Sequence, residues 1–175
     1  MSFYFFVLFL HITGAMGIFV GMGLEWLIVH NFKRVATYSE ALQWTDSFKL
    51  LPAIFSISSI LILASGIYMW AETWGDTAWI ITGFWLFLFL AVFGSVIVGK
   101  KVRSIAEALK SEGDKLSDAV LVKIKSPVIT QSLKIRTALA VSIIFIMTTK
   151  PGWTITLAAI GVALIIGILL TRIIK

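Results

Sequence analysis

The chain has 175 residues, 59% of them hydrophobic and 14% charged, with a mean hydropathy of +0.98. Soluble domains are about 45–50% apolar and about 25% charged, so this composition excludes a soluble globular domain, and its apolarity excludes a disordered chain. Cysteine is absent and His11 and His30 are the only histidines, which excludes disulfides, thiolate metal sites, iron–sulfur clusters and cysteine nucleophiles. The net charge is +6, and its placement fits a membrane surface, not nucleic acid.

A helix that crosses a bilayer needs about 20 predominantly apolar residues. Five stretches qualify: residues 3–29, 50–70, 77–99, 135–149 and 153–174. Lipid offers no partner to an unpaired backbone group, so each is expected to be helical. The short alternating segments of a membrane β-barrel are missing. The expected fold is therefore all-α, a single polytopic helical bundle over residues 1–175. The first span lacks the basic leader and short apolar core of a signal peptide and reads as a retained helix. Pro52 falls in the first turn of the second span, where its missing N–H costs nothing. Trp70, Trp74, Trp79 and Trp153 cluster at span ends, as an interfacial belt requires. Pro151-Gly152 joins the last two spans too tightly for anything but a helical hairpin.

Charge sets the expected orientation. Fourteen of the fifteen basic residues fall on one side of the five spans, and only Lys150 falls on the other. The positive-inside rule then puts the N-terminus outside and the C-terminus in the cytoplasm. The loop 100–134 carries Val102, Ile105, Ala106 and Leu109 at helical spacing and breaks at Gly113-Asp114. A second short helix follows over 117–125, ending before Ser126-Pro127. This loop reads as a solvated extension of the third span lying on an anionic cytoplasmic leaflet.

Ionisable groups inside a span are costly, so each is a candidate for function. On the first helix His11, Gly14, Ile18, Gly21 and Glu25 recur at steps of three and four and share one face. His11 and Glu25 lie about 21 Å apart by helical rise. The glycines leave room for a neighbouring backbone or a flat ligand, and Gly17-x-x-x-Gly21 is a close-packing spacing. Without a ligand, His11 would bond to a serine or a carbonyl of a neighbouring helix. Glu25 is expected to form an ion pair with Arg136 of the fourth helix, at similar depth. Ser58, Ser65, Ser59 and Gly66 of the second helix suit packing or a polar lining opposite His11. Met69 and Met147 end the second and fourth helices in the outer leaflet and are weaker candidates as soft ligands.

Three stretches carry a resemblance: Phe9 to Gly21 with its single histidine, Leu63 to Tyr68 (L-A-S-G-I-Y) and Met147 to Gly152 (M-T-T-K-P-G). Together they resemble an uncharacterised family of small bacterial integral membrane proteins. That family looks related to the copper-resistance D-type membrane domain and to the membrane-bound, haem-containing protoporphyrinogen oxidase. The resemblance implies a bundle of four or five spans in the bacterial plasma membrane. It also implies haem b held through the first-helix histidine, matched here by His11. Lys150-Pro151 matches the lysine–proline that ends a late helix. The tryptophan–glycine pair that follows the histidine in the oxidase branch is replaced by Ala15-Met16-Gly17.

Three functions are weighed. The first is a haem-b protein in electron transfer or redox chemistry. Haem needs an axial ligand, an apolar slot and cations for its propionates. His11 offers the ligand, the Gly14 and Gly21 face the slot, and Lys150 the cation. His30 stands about 28 Å further along the same helix and cannot ligate the same iron. The second is a permease for a small solute or metal, for which copper would ask for clustered soft ligands. The third is a non-catalytic subunit of a larger membrane complex or a homo-oligomer. The orientation is tested by single cysteines at Asp76 and Gly113 in this cysteine-free chain. Asp76→Cys should label from outside intact cells and Gly113→Cys should not, and the reverse pattern would invert the topology.

Overall fold

The computed structural model describes residues 3–111 and 115–173. Among them there is no strand, and five helices are long and apolar enough to cross a membrane. The order is α1 (Phe3–Phe32), α2 (Tyr38–Ser47), a 3-10 turn (Phe48–Leu50), α3 (Leu51–Met69), a π-helical turn (Trp70–Trp74), α4 (Ala78–Ser111), α5 (Asp118–Lys125), α6 (Val128–Thr149) and α7 (Trp153–Ile173). Pro52 sits in the first turn of α3, and Gly75, at φ +62°, makes the left-handed turn that leads into α4. The outer faces are apolar, with Phe9, Ile57, Ile60, Trp85, Phe89 and Ile165 all exposed. Apolar area on this scale has no place in water. Enclosure is greatest around α6, whose spanning window is 44% buried against 11–17% for the other four.

The chain divides into two compact units. The first comprises residues 1–74 and 101–126. Its main contact is α1 against α3, where the small residues of α1 lie on the backbone of α3. A Cβ at Gly14 would stand 2.9 Å from the Ser58 carbonyl oxygen and from Ile62 Cγ1. At Gly21 it would meet Phe55 Cε1 at 2.8 Å. Such small-residue faces let membrane helices approach closely enough for dispersion to hold them.

At its other end α1 turns into α2 through a capping box. Thr37 Oγ1 accepts the Glu40 N–H at 3.3 Å, and Glu40 Oε2 accepts the Thr37 and Ala36 N–H groups at 3.2 and 2.8 Å. These bonds satisfy amides that a helix start leaves open. Phe32 and Phe48 meet edge to face at 5.6 Å under this corner, with Val35 and Ala41 also buried.

The 100–134 loop departs from its reading as a solvated lipid-surface extension. α4 continues to Ser111, and its Ile105 and Leu109 are fully buried, as are Val120 and Ile124 of α5. Both pairs are one helical turn apart, so each short helix has one apolar stripe to bury. Ser117 caps α5 by accepting the Val120 N–H. The break expected at Gly113-Asp114 lies outside the described residues.

The second unit comprises residues 75–100 and 127–175. α6 begins at Val128, seven residues before the expected span start at residue 135, so Lys134 belongs to the helix and not to a loop. Pro127 opens it as the cap residue. α6 and α7 form the hairpin expected from Pro151-Gly152. Gly167 of α7 packs on α6, where a Cβ would come within 3.0 Å of Ile135 Cα. Thr156 is fully buried and donates its hydroxyl to the Pro151 carbonyl at 3.3 Å.

Two predictions follow from the first unit. Gly14→Ala gains about 1 kcal/mol of helix propensity but overpacks a close contact, at a cost of about 1–3 kcal/mol. Two of the three nearest atoms belong to the α3 backbone, so the cost wins and the thermal midpoint in detergent should fall. Gly23, on the same helix, has nothing within 4 Å, and Gly23→Ala should hold or raise it. The second concerns Glu40, whose carboxyl lies below its usual range because the Ala36 and Thr37 amides donate to it. A lowered folded value means that stability is full above the ordinary carboxylate pKa and is lost as pH falls through the lowered one. Amide exchange in α2, corrected for intrinsic rates, should therefore accelerate over that acidic window. Glu40→Gln, which keeps a capping side chain without a titrating group, should flatten the dependence.

Candidate functional site

His11 lies in the third turn of α1, half-buried against α3. Its Nδ1 stands 3.1 Å from the Ile62 carbonyl oxygen and 3.1 Å from Ser65 Oγ. A carbonyl oxygen can only accept, so Nδ1 carries the proton. The Ser65 hydroxyl in turn donates to the Leu61 carbonyl, which leaves its oxygen free to accept from His11. In the neutral ring the lone pair is thus on Nε2, which has no hydrogen-bond partner among the described residues. A carbonyl that holds Nδ1–H is also the usual way in which a ligating imidazole is oriented.

Gly66 makes room for the ring. A Cβ there would stand 3.1 Å from His11 Cε1. A Cβ at position 66 would require the imidazole to give by a few tenths of an ångström. The serine or carbonyl partner expected for His11 is therefore both: Ser65 lies within the L-A-S-G stretch and the Ile62 carbonyl comes just before it. Ser58 serves differently: its carbonyl lies over Gly14 and its hydroxyl over Gly17. The room left by Gly14, Gly17 and Gly21 is taken up by α3. These glycines position His11 indirectly, by letting α3 come close enough for Ile62 to reach it.

Glu25 continues the same face one turn beyond Gly21 and is 1% exposed. Arg136, the partner expected for it, belongs to the second unit and is 8% exposed. Within that unit the Arg136 side chain lies over Gly94 of α4, where a Cβ would meet Nη1 at 2.7 Å and Cδ at 3.0 Å. Lys134 is a residue the sequence reading left in the loop. It is buried and donates from Nζ to the Leu170 carbonyl at 3.1 Å. This bond falls on a carbonyl in the last turn of α7, where the helix dipole favours a cation. No local signal announces such a pairing, because its partner is 36 residues away.

Lys150 caps α6 in the left-handed conformation, φ 50°, and its N–H bonds the Ile146 carbonyl at 3.0 Å. Its Nζ sits 5.7 Å from the centre of the Trp79 ring, a cation–π arrangement. Met147 places its methyl over Gly83 and fills a packing gap. Met69 is buried at the end of α3. His30 accepts from Arg34 Nη1 at 3.1 Å at the far end of α1. Among the described residues no three His, Asp or Glu side chains are grouped to hold a metal ion. A metal held at His11 would therefore need to bring most of its own ligands, as a porphyrin iron does.

No curated protein and no solved structure matches this chain. A family described as predicted integral membrane protein (DUF2269) matches residues 5–151, from the first turn of α1 through the Lys150-Pro151 end of α6. That stretch covers most of the chain and includes His11, its α3 partners and four of the five spans, and the chain belongs to this family of integral membrane proteins.

Proposed function

We propose that this membrane protein binds haem b and acts in electron transfer, with His11 as the axial ligand. The observation that carries the reading is the orientation of His11. Ile62 and Ser65 hold Nδ1, and the Nε2 lone pair is left for a metal. The donor set fits a porphyrin iron better than a bare ion, because no three His, Asp or Glu side chains are grouped among the described residues. The resemblance of the first-helix motif to the haem-containing oxidase branch supports the same ligand. When bound, haem supplies one-electron chemistry in an apolar medium, its potential tuned by the axial ligand and that ligand's hydrogen bonds.

The chain's own part is to hold the imidazole. Gly14 and Gly66 let the ring and the α3 backbone meet, the Ile62 carbonyl fixes the tautomer, and Ser65 adds a second acceptor. Gly14 and Gly21 are assigned to this packing and not to a slot for the ring.

The test is the Soret band of protein purified from cells given ample haem. Wild type and His30→Ala should show it, and His11→Ala should not. Ser65→Ala should keep the haem but shift its midpoint potential, because the hydrogen bond to the ligand is weakened. Absence of the band in wild type, or its equal retention in both histidine variants, would overturn the reading and favour a non-catalytic subunit of a larger membrane complex.

A further inference from the structure

We propose that the corner between α1 and α2 binds a head group pairing a phosphate with a primary ammonium, as in phosphatidylethanolamine or soluble phosphoethanolamine. α1 has 30 residues, about 45 Å of helix against about 30 Å of hydrocarbon core. Its last turns therefore run at head-group depth. There the chain turns and leaves a cavity of about 180 Å³ lined by Asn31, Arg34, Val35, Glu40 and Trp44.

The lining offers one cation, one carboxylate and one ring. Arg34 is exposed and spends a single guanidinium N–H on His30 Nε2. Its other side-chain N–H groups bond nothing among the described residues, and a guanidinium fork matches phosphate oxygens in pairs. Glu40 uses Oε2 for the Ala36 and Thr37 amides, and Oε1 is left to accept. Trp44 follows Glu40 by four residues on the same face of α2 and offers its ring to a cation. A purely anionic head group would meet the Glu40 carboxylate, and a purely cationic one would meet Arg34. A zwitterion satisfies both. The acceptor at Oε1 selects a primary ammonium, which has N–H groups to donate, over a trimethylammonium, which has none.

The capping box makes the site separable from the fold. Glu40→Gln keeps the capping hydrogen bonds and removes the charge, and Arg34→Gln changes an exposed side chain. The experiment measures the shift in thermal midpoint of detergent-purified protein. The additions are phosphatidylethanolamine, phosphatidylcholine or phosphatidylglycerol of matched chains, and soluble phosphoethanolamine. Wild type should be raised most by phosphatidylethanolamine. Arg34→Gln should lose the shift with every lipid, and Glu40→Gln should lose the preference for the ethanolamine head group. A shift with soluble phosphoethanolamine would assign the site to a free ligand, and a shift with the lipid alone would assign it to the bilayer. The proposal is overturned if phosphatidylglycerol equals phosphatidylethanolamine on wild type, if Glu40→Gln keeps the preference, or if no addition shifts wild type.

Discussion

The approach of the α3 backbone to the glycine face of α1 is the contact on which the first unit depends. Lipid chains are as apolar as leucine, so two apolar helices gain little by hiding side chains from the bilayer. What they gain is contact, and contact grows as the axes close. Gly14, Gly17 and Gly21 remove the side chains that would keep α3 away. The same closeness brings a main-chain carbonyl at Ile62 to the imidazole of His11. A helix carbonyl already accepts one bond, from the amide four residues on, and its second lone pair is reachable only by a group pressed against the backbone. The polar contact is thus a consequence of the packing and not a separate device.

The second unit handles buried charge in a related way. Lys134 donates from its ammonium to a carbonyl at the end of α7, and Arg136 lies where Gly94 leaves the surface of α4 bare. Lys134 meets a backbone carbonyl, and Arg136 is given room by a glycine of α4. Helix ends supply unsatisfied carbonyls, and glycines supply room, so a membrane helix can host long basic side chains without breaking its own hydrogen bonding. Lys150 is exposed and instead keeps its ammonium near an indole ring.

Beyond the long apolar stretches the first unit is built with the devices of a soluble fold. The α1–α2 corner has a capping box, an aromatic edge-to-face pair and buried aliphatics. The end of α4 and α5 contribute two more buried stripes to the same unit.

Much of the fold was legible in the sequence. The five spans, the helical class and the hairpin at Pro151-Gly152 follow from length and apolarity alone, because a bilayer admits so few backbone conformations. The shared face of His11, Gly14, Gly21 and Glu25 follows from helical periodicity. Span ends were less legible. α4 runs on to Ser111 because Lys, Arg, Glu, Ala and Leu are good helix formers in water, and α6 starts at Val128 directly after Pro127, so hydropathy marks where lipid ends and not where the helix does. The partners of His11 required the tertiary structure. Periodicity names the face on which a residue lies, but the register of α3 against α1 decides that Ile62, Ser65 and Gly66 stand opposite it. The burial of Ile105, Leu109, Val120 and Ile124, and the bond from Lys134 to Leu170, have the same origin. Each joins residues distant in the chain, and one sequence carries no record of which apolar stripe or open carbonyl will be the neighbour.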